Sequence, residues 1–289
     1  MSTLENSFTP FDAPLTAALA ANIQAALAED VGTGDATGRL VPENEWVRAR
    51  VIVREPAVLC GAPWFEGVMT GLNDCIRIDW RYAEGAMMTA NSVVCAIHAP
   101  ARELFTAERT ALNFLQLLSA VATATRACVE LIHGTRAHIL DTRKTLPGLR
   151  LAQKYAVRVG GGKNHRLGLY DGILIKENHI AAAGGITPAL RRAASLNAGV
   201  PIQIEVENLQ QLDEALAAGA VSILLDNFEL EAMRAAVATN AGRALLEASG
   251  GVTHENVRAI AETGVDRISI GSLTKDVCAT DYSLRIVVQ

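Results

Sequence analysis

The sequence predicts an α/β protein whose larger part is an incomplete barrel of parallel strands. Two observations support this: short apolar runs alternate with amphipathic helices about every 20 residues, and glycines follow the ends of these helices. Consecutive βα units imply parallel strands joined by right-handed crossovers, and so many in a row favour a barrel. An open, doubly wound sheet is the alternative. Because only six or seven strands are visible, an eight-stranded barrel is not expected.

The elements of this repeated part follow from its pattern. The predicted strands are residues 137–140, 172–175, 201–206, 221–225, 244–246 and 267–270. The predicted helices between the later strands are residues 187–197, 209–218, 230–239 and 254–262. Asn208 and Thr253 are expected as N-caps. The C-cap glycines are expected at Gly199, Gly219, Gly242 and Gly264.

The N-terminal part has a mixed pattern. Apolar residues recur every fourth position from Leu15 to Leu27, which predicts a helix, and residues 47–53 partly alternate as a strand does. Further predicted elements are a helix at 63–72, strands at 76–82 and 92–99, and a long helix at 102–132 that is broken once. The tail, 276–289, ends in an apolar run that would return as a strand to the N-terminal domain.

Composition is typical of a globular protein, with 50% hydrophobic and 20% charged residues. The apolar run at 111–124 is too short to span a membrane, and no basic residue precedes Arg39 as an export signal would require. The five cysteines form no Cys-x-x-Cys pair and are interpreted as reduced thiols. We therefore expect a cytoplasmic protein that does not enter a membrane.

Charge is distributed unevenly. The net charge is −5, but the segment 136–176 carries nine Lys or Arg and only two acidic residues, Asp141 and Asp171. This segregation favours an anion site within an otherwise acidic protein. A solvated basic face and an RNA-binding surface are the alternatives, and the overall acidity and 4% aromatic content disfavour RNA.

Every predicted strand of the barrel ends in polar residues or glycine, where βα barrels place their reactive groups. The strand at 201–206 alternates so that Glu205 and Glu207 share the face opposite its apolar side chains. The other strand ends carry Asp141, Thr142, Arg143, Lys144, Lys176, Asp226, Asn227, Ser249, Gly250, Gly251, Gly271 and Ser272. Cations, carboxylates and glycine loops together indicate a Mg²⁺-assisted enzyme acting on a sugar phosphate and a second anion.

Two weaker patterns carry no function. The run 160–164 resembles a phosphate loop, but Asn164 stands where Ser or Thr is required, so a turn before His165 is expected. The isolated histidines His98, His133, His138 and His254 fit no metal-ligand spacing.

Nine short runs, in order along nearly the whole chain, resemble a known family. They are EDVGTGD (29–35), TAERTALN (106–113), DTRKTLPGLR (141–150), GGGKNHRLG (160–168), LIKENH (174–179), IEVEN (204–208), LDNF (225–228), LEASGG (246–251) and IGSLT (270–274). The family is quinolinate phosphoribosyltransferase, a group of pentosyltransferases. The resemblance implies transfer of a phosphoribosyl group to quinolinate with decarboxylation, giving nicotinate mononucleotide for NAD biosynthesis.

The resemblance also implies an architecture. We expect an N-terminal α/β sandwich domain at 1–118, joined by the tail 275–289, and a barrel domain at 119–274. It further implies a homodimer in which Arg109 reaches the neighbouring active site. From the residues alone, Arg109 is a helix-surface charge.

Roles for individual residues follow from the same resemblance. The two carboxylates of quinolinate would be held by Arg109, Arg143, His165, Arg166 and Lys176. Lys144, beside Thr142, would reach phosphoribosyl pyrophosphate, and Glu205 and Asp226 would hold ribose hydroxyls and Mg²⁺, directly or through water. The 5′-phosphate would lie against Ser249, Gly250, Gly251, Ile270, Gly271 and Ser272. Lys163 receives no role. The close alternatives are paralogues that use nicotinate or accompany molybdenum transport.

Overall fold

The structure, a computed structural model, describes residues 6–287. The described chain forms two compact units. One contains residues 6–126, 145–161 and 276–287, and the other contains residues 127–144 and 162–275. The domain boundaries expected at 118 and 274 stay predictions.

The first unit is an antiparallel sheet packed with helices. Its elements are α1 (Ala13–Val31), β1 (Trp46–Val53), β2 (Ala57–Val58), α2 (Ala62–Leu72), β3 (Arg77–Trp80), β4 (Met87–Met88), β5 (Val93–Pro100), α3 (Ala101–Leu131), α4 (Arg150–Val159) and β12 (Tyr282–Ile286). The last residues of α3, 127–131, belong to the other unit. The four-stranded sheet has the order β12-β1-β5-β3, and β2 pairs with β4. The tail therefore returns to β1 as predicted, with Val51 opposite Leu284.

Alternation in β1 explains how this sheet buries one face. Ala49, Val51 and Val53 are buried, whereas Arg48 and Arg50 are exposed. The buried side chains join a core that includes Trp64 and Phe65 of α2 and Leu104 and Leu115 of α3. This is the sandwich arrangement that the family resemblance implies.

Helix α3 corrects two expectations. It runs from Ala101 to Leu131 without the expected break, because it contains neither proline nor glycine. By length and composition it is long and apolar enough to cross a membrane, so the expectation that no apolar stretch reaches that length is wrong. However, 56% of its most apolar window is buried inside the protein, as in a core helix.

The second unit is the predicted barrel. Its elements are β6 (His138–Leu140), β7 (Ile173–Ile175), α5 (Glu177–Ala183), α6 (Ile186–Ser195), β8 (Ile202–Val206), α7 (Leu209–Ala217), β9 (Ser222–Asp226), α8 (Leu230–Asn240), β10 (Leu245–Ser249), α9 (Val257–Ala261), β11 (Arg267–Ser269) and α10 (Ser272–Lys275). All six strands are parallel, in the order β6-β11-β10-β9-β8-β7.

This order distinguishes a barrel from the alternative open sheet. The strands β7 to β11 follow one another without reversal, and β6 lies beside β11, so the sheet curls almost into a ring. The ring is open between β6 and β7. Lys163 partly covers the free edge of β6 through a parallel bridge to Leu140.

Local signals explain some of the helix ends. Asn208 caps α7 by accepting from the Gln211 backbone N–H, as predicted. Thr253 is not the cap of α9, since that helix begins at Val257 with Asn256 before it. Helices α4 and α5 were not predicted; α5 spans only seven residues, whereas α4 is an amphipathic helix of ten residues inside the basic segment.

Candidate active site

A cavity of about 550 Å³ lies at the carboxyl ends of the barrel strands. It gathers eleven of the residues predicted for the site. They are Thr142, Arg143, Lys144, His165, Arg166, Lys176, Glu205, Asp226, Ser249, Gly250 and Gly251. They come from six separate segments of the second unit, brought together because parallel strands end at the same rim.

The loop after β6 is anchored by Asp141, which is fully buried. Its carboxylate accepts hydrogen bonds from the His165 backbone N–H at 2.8 Å and the Asn164 side-chain amide at 2.6 Å. The carbonyl oxygen of Lys144 accepts from the Thr274 hydroxyl at 2.7 Å. These bonds hold the two cation-bearing loops in place, and the two to the Asp141 carboxylate are the stronger ones because their acceptor is charged.

His165, Gln203 and Glu247 form a hydrogen-bonded chain in which His165 and Glu247 line the cavity and Gln203 is buried. His165 Nδ1 accepts from the Arg166 backbone N–H, so we infer that the proton is on Nε2, which donates to Gln203 Oε1 at 2.9 Å. Gln203 Nε2 then donates to Glu247 Oε2 at 3.0 Å. The sequence did not predict Gln203, although it lies two residues before Glu205 and so faces the same side of β8.

The guanidinium groups of Arg143 and Arg166 share the cavity. Burial and the positive charge of Arg143 lower the pKa of Arg166, and Asp171 opposes this shift. Arg166 donates to the Gly172 carbonyl at 2.9 Å. Arg143 Nε is buried and has no hydrogen-bond partner among the described residues. Two crowded guanidiniums with unused donors form a ready anion site.

Lys176 and Glu205 form an ion pair of 3.3 Å at the end of β7 and β8. Burial raises the pKa of Glu205, Lys176 lowers it, and the charge of Asp226 raises it. Glu205 and Asp226 therefore repel each other within one cavity, which a bound cation or hydroxyl donor would relieve. Glu207, predicted on the same face, is exposed and lies outside this cavity.

The strand β10 is longer than predicted and ends at Ser249, in register with β9 through Asp226. The next residue, Gly250, has φ +94°, and a Cβ there would lie 2.1 Å from Asn227 Oδ1. Only glycine fits this turn, which leaves its backbone uncovered toward the cavity.

Four predicted site residues are not on the cavity wall. Ile270 is buried, and Gly271 and Ser272 follow β11. Gly271 still lies against Lys144, since a Cβ there would be 2.9 Å from Lys144 Cδ. Arg109 is exposed on α3 in the first unit.

The carboxylates fit a weakly held Mg²⁺ rather than a closed metal cage. Within residues 6–287 no group of three His, Cys, Asp or Glu is positioned to hold a metal ion. Mg²⁺ is commonly bound by one or two carboxylates together with substrate phosphates and water. Glu205 and Asp226 satisfy that requirement.

The fold and cavity define a class of protein: a partial βα barrel enzyme that binds phosphorylated, anionic substrates at its carboxyl end. Two family models match the chain. The quinolinate phosphoribosyl transferase N-terminal domain matches residues 35–119, and the C-terminal domain matches residues 121–285. The chain belongs to the quinolinate phosphoribosyl transferase family, as its sequence motifs indicate.

Individual relatives agree with this membership. The chain is 44% identical to nicotinate-nucleotide pyrophosphorylase [carboxylating] of Mycobacterium leprae, covering 91% of this chain and 95% of that protein. It is 40% identical to a probable enzyme of the same name from Bacillus subtilis, over 89% and 90% of the two chains. The nicotinate-nucleotide pyrophosphorylase structure from Francisella tularensis superposes with a TM-score of 0.92 at 42% identity, covering 99% of this chain and 100% of that one.

Proposed function

We propose that this protein transfers the phosphoribosyl group of phosphoribosyl pyrophosphate to quinolinate and releases carbon dioxide and pyrophosphate. The product is nicotinate mononucleotide, an intermediate of NAD biosynthesis. The observation that carries the proposal is the single cavity in which Arg143, Arg166 and Lys176 lie together with Glu205 and Asp226. Family membership gives the same reaction.

Recognition of quinolinate would use the cationic residues. A pyridine dicarboxylate carries two negative charges, and the planar guanidiniums of Arg143 and Arg166 match carboxylates in bidentate fashion. His165 and Lys176 add further donors. Leu174 and Leu224 also line the cavity and offer apolar contact to the aromatic ring.

The phosphoribosyl donor would occupy the remaining polar wall. Lys144 would pair with the pyrophosphate, and Glu205 and Asp226 would accept hydrogen bonds from the ribose hydroxyls. The uncovered backbone at Gly250 and Gly251, next to Ser249, suits the 5′-phosphate. Bound Mg²⁺ would supply positive charge to the pyrophosphate oxygens.

The reaction then requires charged side chains that position the substrates and stabilise the charges that develop, and it requires no nucleophile from the protein. The carboxylates of Glu205 and Asp226 stabilise positive charge at the anomeric carbon as the bond to pyrophosphate breaks, and Lys144 stabilises the leaving group. The pyridine nitrogen of quinolinate forms the new bond to that carbon and becomes cationic. The C–CO₂ bond next to the nitrogen then breaks, its electron pair stays on that ring carbon beside the cationic nitrogen, and a proton from water takes the place of the carboxylate.

A direct assay tests the reaction. Purified protein, phosphoribosyl pyrophosphate and Mg²⁺ are mixed with quinolinate or, in parallel, with nicotinate, and nicotinate mononucleotide and carbon dioxide are measured. We expect product and equimolar carbon dioxide from quinolinate only. Product from nicotinate only would contradict the dicarboxylate pocket, and product from neither would leave the paralogue and anion-binding alternatives.

The active form is proposed to be a homodimer in which Arg109 completes the partner's site. Its exposure on α3 leaves it available to a neighbouring subunit. Inactive Arg109→Ala and Lys144→Ala proteins, mixed and allowed to exchange subunits, should recover about a quarter of wild-type activity, since half of the dimers would hold one intact site. If Arg109 acts within its own subunit, neither type of subunit supplies a part that the other lacks, and the mixture stays inactive.

We also propose a cytoplasmic location, with neither nucleic acid nor membrane as a partner. The free state of all five cysteines supports a reducing compartment. Recovery of the native protein in a membrane or periplasmic fraction would contradict the location. Salt-sensitive RNA binding would contradict the absence of a nucleic-acid partner.

A further inference from the structure

A second cavity, of about 670 Å³, lies at the opposite end of the barrel. Each of the six strands contributes a residue at or just before its amino end. These residues are His138, Ile173, Pro201, Ser222, Leu245 and Arg267. In βα barrels the amino end usually serves stability rather than chemistry. A large polar cavity there therefore requires its own explanation.

The cavity has more positive charge than its acidic residues neutralise. Asp266 pairs with Arg136 and also accepts from the Leu246 backbone N–H. Asp171 uses both oxygens to accept from the backbone N–H groups of Leu167 and Gly168. Both acidic side chains are thus already engaged.

Lys163 and Arg267 remain as free cations in the same wall. Within the described chain neither side chain makes a hydrogen bond or an ion pair. Both lie near His138, because Arg267 is paired with His138 across β11 and β6, and the Lys163 backbone N–H donates to the carbonyl of Ile139, the next residue. Burial and then the charges of Lys163 and Arg267 lower the pKa of His138, and Asp266 opposes them. The two cations lie close together beside His138, and Asp266, the acidic residue that opposes them, already pairs with Arg136. A bound anion would relieve the repulsion between Lys163 and Arg267.

Part of the remaining wall is apolar, and the cavity is of suitable size for a small molecule. Leu140, Ile173 and Leu245 line the cavity, and its volume lies within the range of small-molecule sites. Lys163 belongs to one of the family-like runs, yet the catalytic cavity does not include it. His165 and Arg166 line both cavities, so the two sites share a wall.

We propose that this amino-end cavity is a second anion site, which binds the phosphate groups of a small phosphorylated molecule between Lys163, Arg267 and His138. It goes beyond the proposed reaction, because none of these three residues lines the catalytic cavity. The apolar patch would contact the uncharged part of the ligand.

Equilibrium dialysis with radiolabelled inorganic pyrophosphate tests the proposal. Wild-type protein should bind two pyrophosphates per chain, one in each cavity. The double variant Lys163→Gln/Arg267→Gln should bind one, and each single variant should weaken the second site about tenfold or more. The matched control is Arg191→Gln/Arg192→Gln, which removes two exposed cations from α6 and should keep both sites.

Two results would contradict the proposed site. One is unchanged pyrophosphate stoichiometry and affinity in Lys163→Gln/Arg267→Gln, and the other is an equal loss of pyrophosphate binding in the control variant. Thermal melting verifies that each variant is folded. Lys163 is exposed, so its single variant keeps the test valid if the double variant unfolds. The turnover of the folded double variant without added pyrophosphate should match wild type.

Discussion

The two units of the chain differ in how completely their buried polar groups are hydrogen-bonded. In the antiparallel unit, Glu84 is 8% exposed and both of its oxygens are satisfied. It accepts from the backbone N–H groups of Gly61 at 2.7 Å and Ala62 at 3.1 Å, and from the Tyr155 hydroxyl at 2.9 Å. This carboxyl therefore joins the start of α2 to α4.

In the barrel, buried polar atoms are left incomplete at the cavity. Three of the four buried side-chain atoms without a hydrogen-bond partner in the described chain belong to Arg143, Glu247 and Ser269, all of which line it. Glu247 Oε1 lies 3.5 Å from His165 Nε2, an electrostatic contact only. Unsatisfied buried groups cost stability, so their concentration at one cavity indicates where a ligand acts. Substitutions at the cavity should change kinetics, and substitutions at Glu84 should change stability.

The largest effect is expected at Lys144. Lys144→Ala should lower kcat by about 100- to 1,000-fold, because the charge that stabilises departing pyrophosphate is lost. Steady-state kinetics measure the change, with Arg191→Ala as a surface control. A near-normal kcat in folded Lys144→Ala protein would show that Lys144 does not take part in catalysis.

The next effect concerns Glu205 and pH. Because the pKa of Glu205 is raised, its active carboxylate is lost as pH falls through a value above that of an ordinary glutamate. Lys176→Met removes the cation that lowers this pKa, so the acidic limb of the kcat profile should move to higher pH. Glu205→Gln should lower kcat by about 10- to 100-fold and abolish that limb. A limb that persists in Glu205→Gln would belong to another group.

A smaller effect is expected at the glycine turn after β10. Gly250→Ala should raise the KM for phosphoribosyl pyrophosphate about tenfold, because the added methyl group displaces Asn227. Gly242→Ala is the matched control, since Gly242 also has positive φ, +77°, but open space around its Cβ position. Both variants carry backbone strain, so equal kinetic effects would show that the clash at the cavity has no role.

The smallest kinetic effect, and a distinct effect on stability, is expected at Glu84. Burial is the main cause that raises its pKa, from 4.5 to about 7. Folded Glu84 therefore holds its proton more tightly than the unfolded chain does, and the free energy of unfolding should decrease by about 3 kcal/mol as pH rises from 4.5 to 7.

Urea unfolding at pH 5 and pH 7.5 measures this decrease. Glu84→Gln should remove most of this pH-dependent decrease in the free energy of unfolding and leave kcat near wild type. The exposed control Glu43→Gln should show the same decrease as wild type. A large decrease in kcat in Glu84→Gln, without loss of folded protein, would contradict the assignment of Glu84 to stability rather than to catalysis.

Sequence patterns were sufficient for the order and type of most elements. The apolar periodicity of α1 and the alternation of β1 are local properties, so they could be read without knowing any partner. The ends of the helices and strands were predicted less accurately than their order. The predicted end of β10 at residue 246 missed Glu247 and Ser249, because only pairing with β9 extends that strand.

By itself, the sequence determined the βα repetition, the polar or glycine-rich strand ends and the concentration of basic residues at 136–176. Only the tertiary structure decided that β6 closes beside β11, that Gln203 links His165 to Glu247, and that Lys163 lies outside the catalytic cavity. It also decided which carboxyls have raised pKa values. The reason is physical: periodicity depends on neighbours along the chain, whereas desolvation and charge coupling depend on groups that only folding brings together.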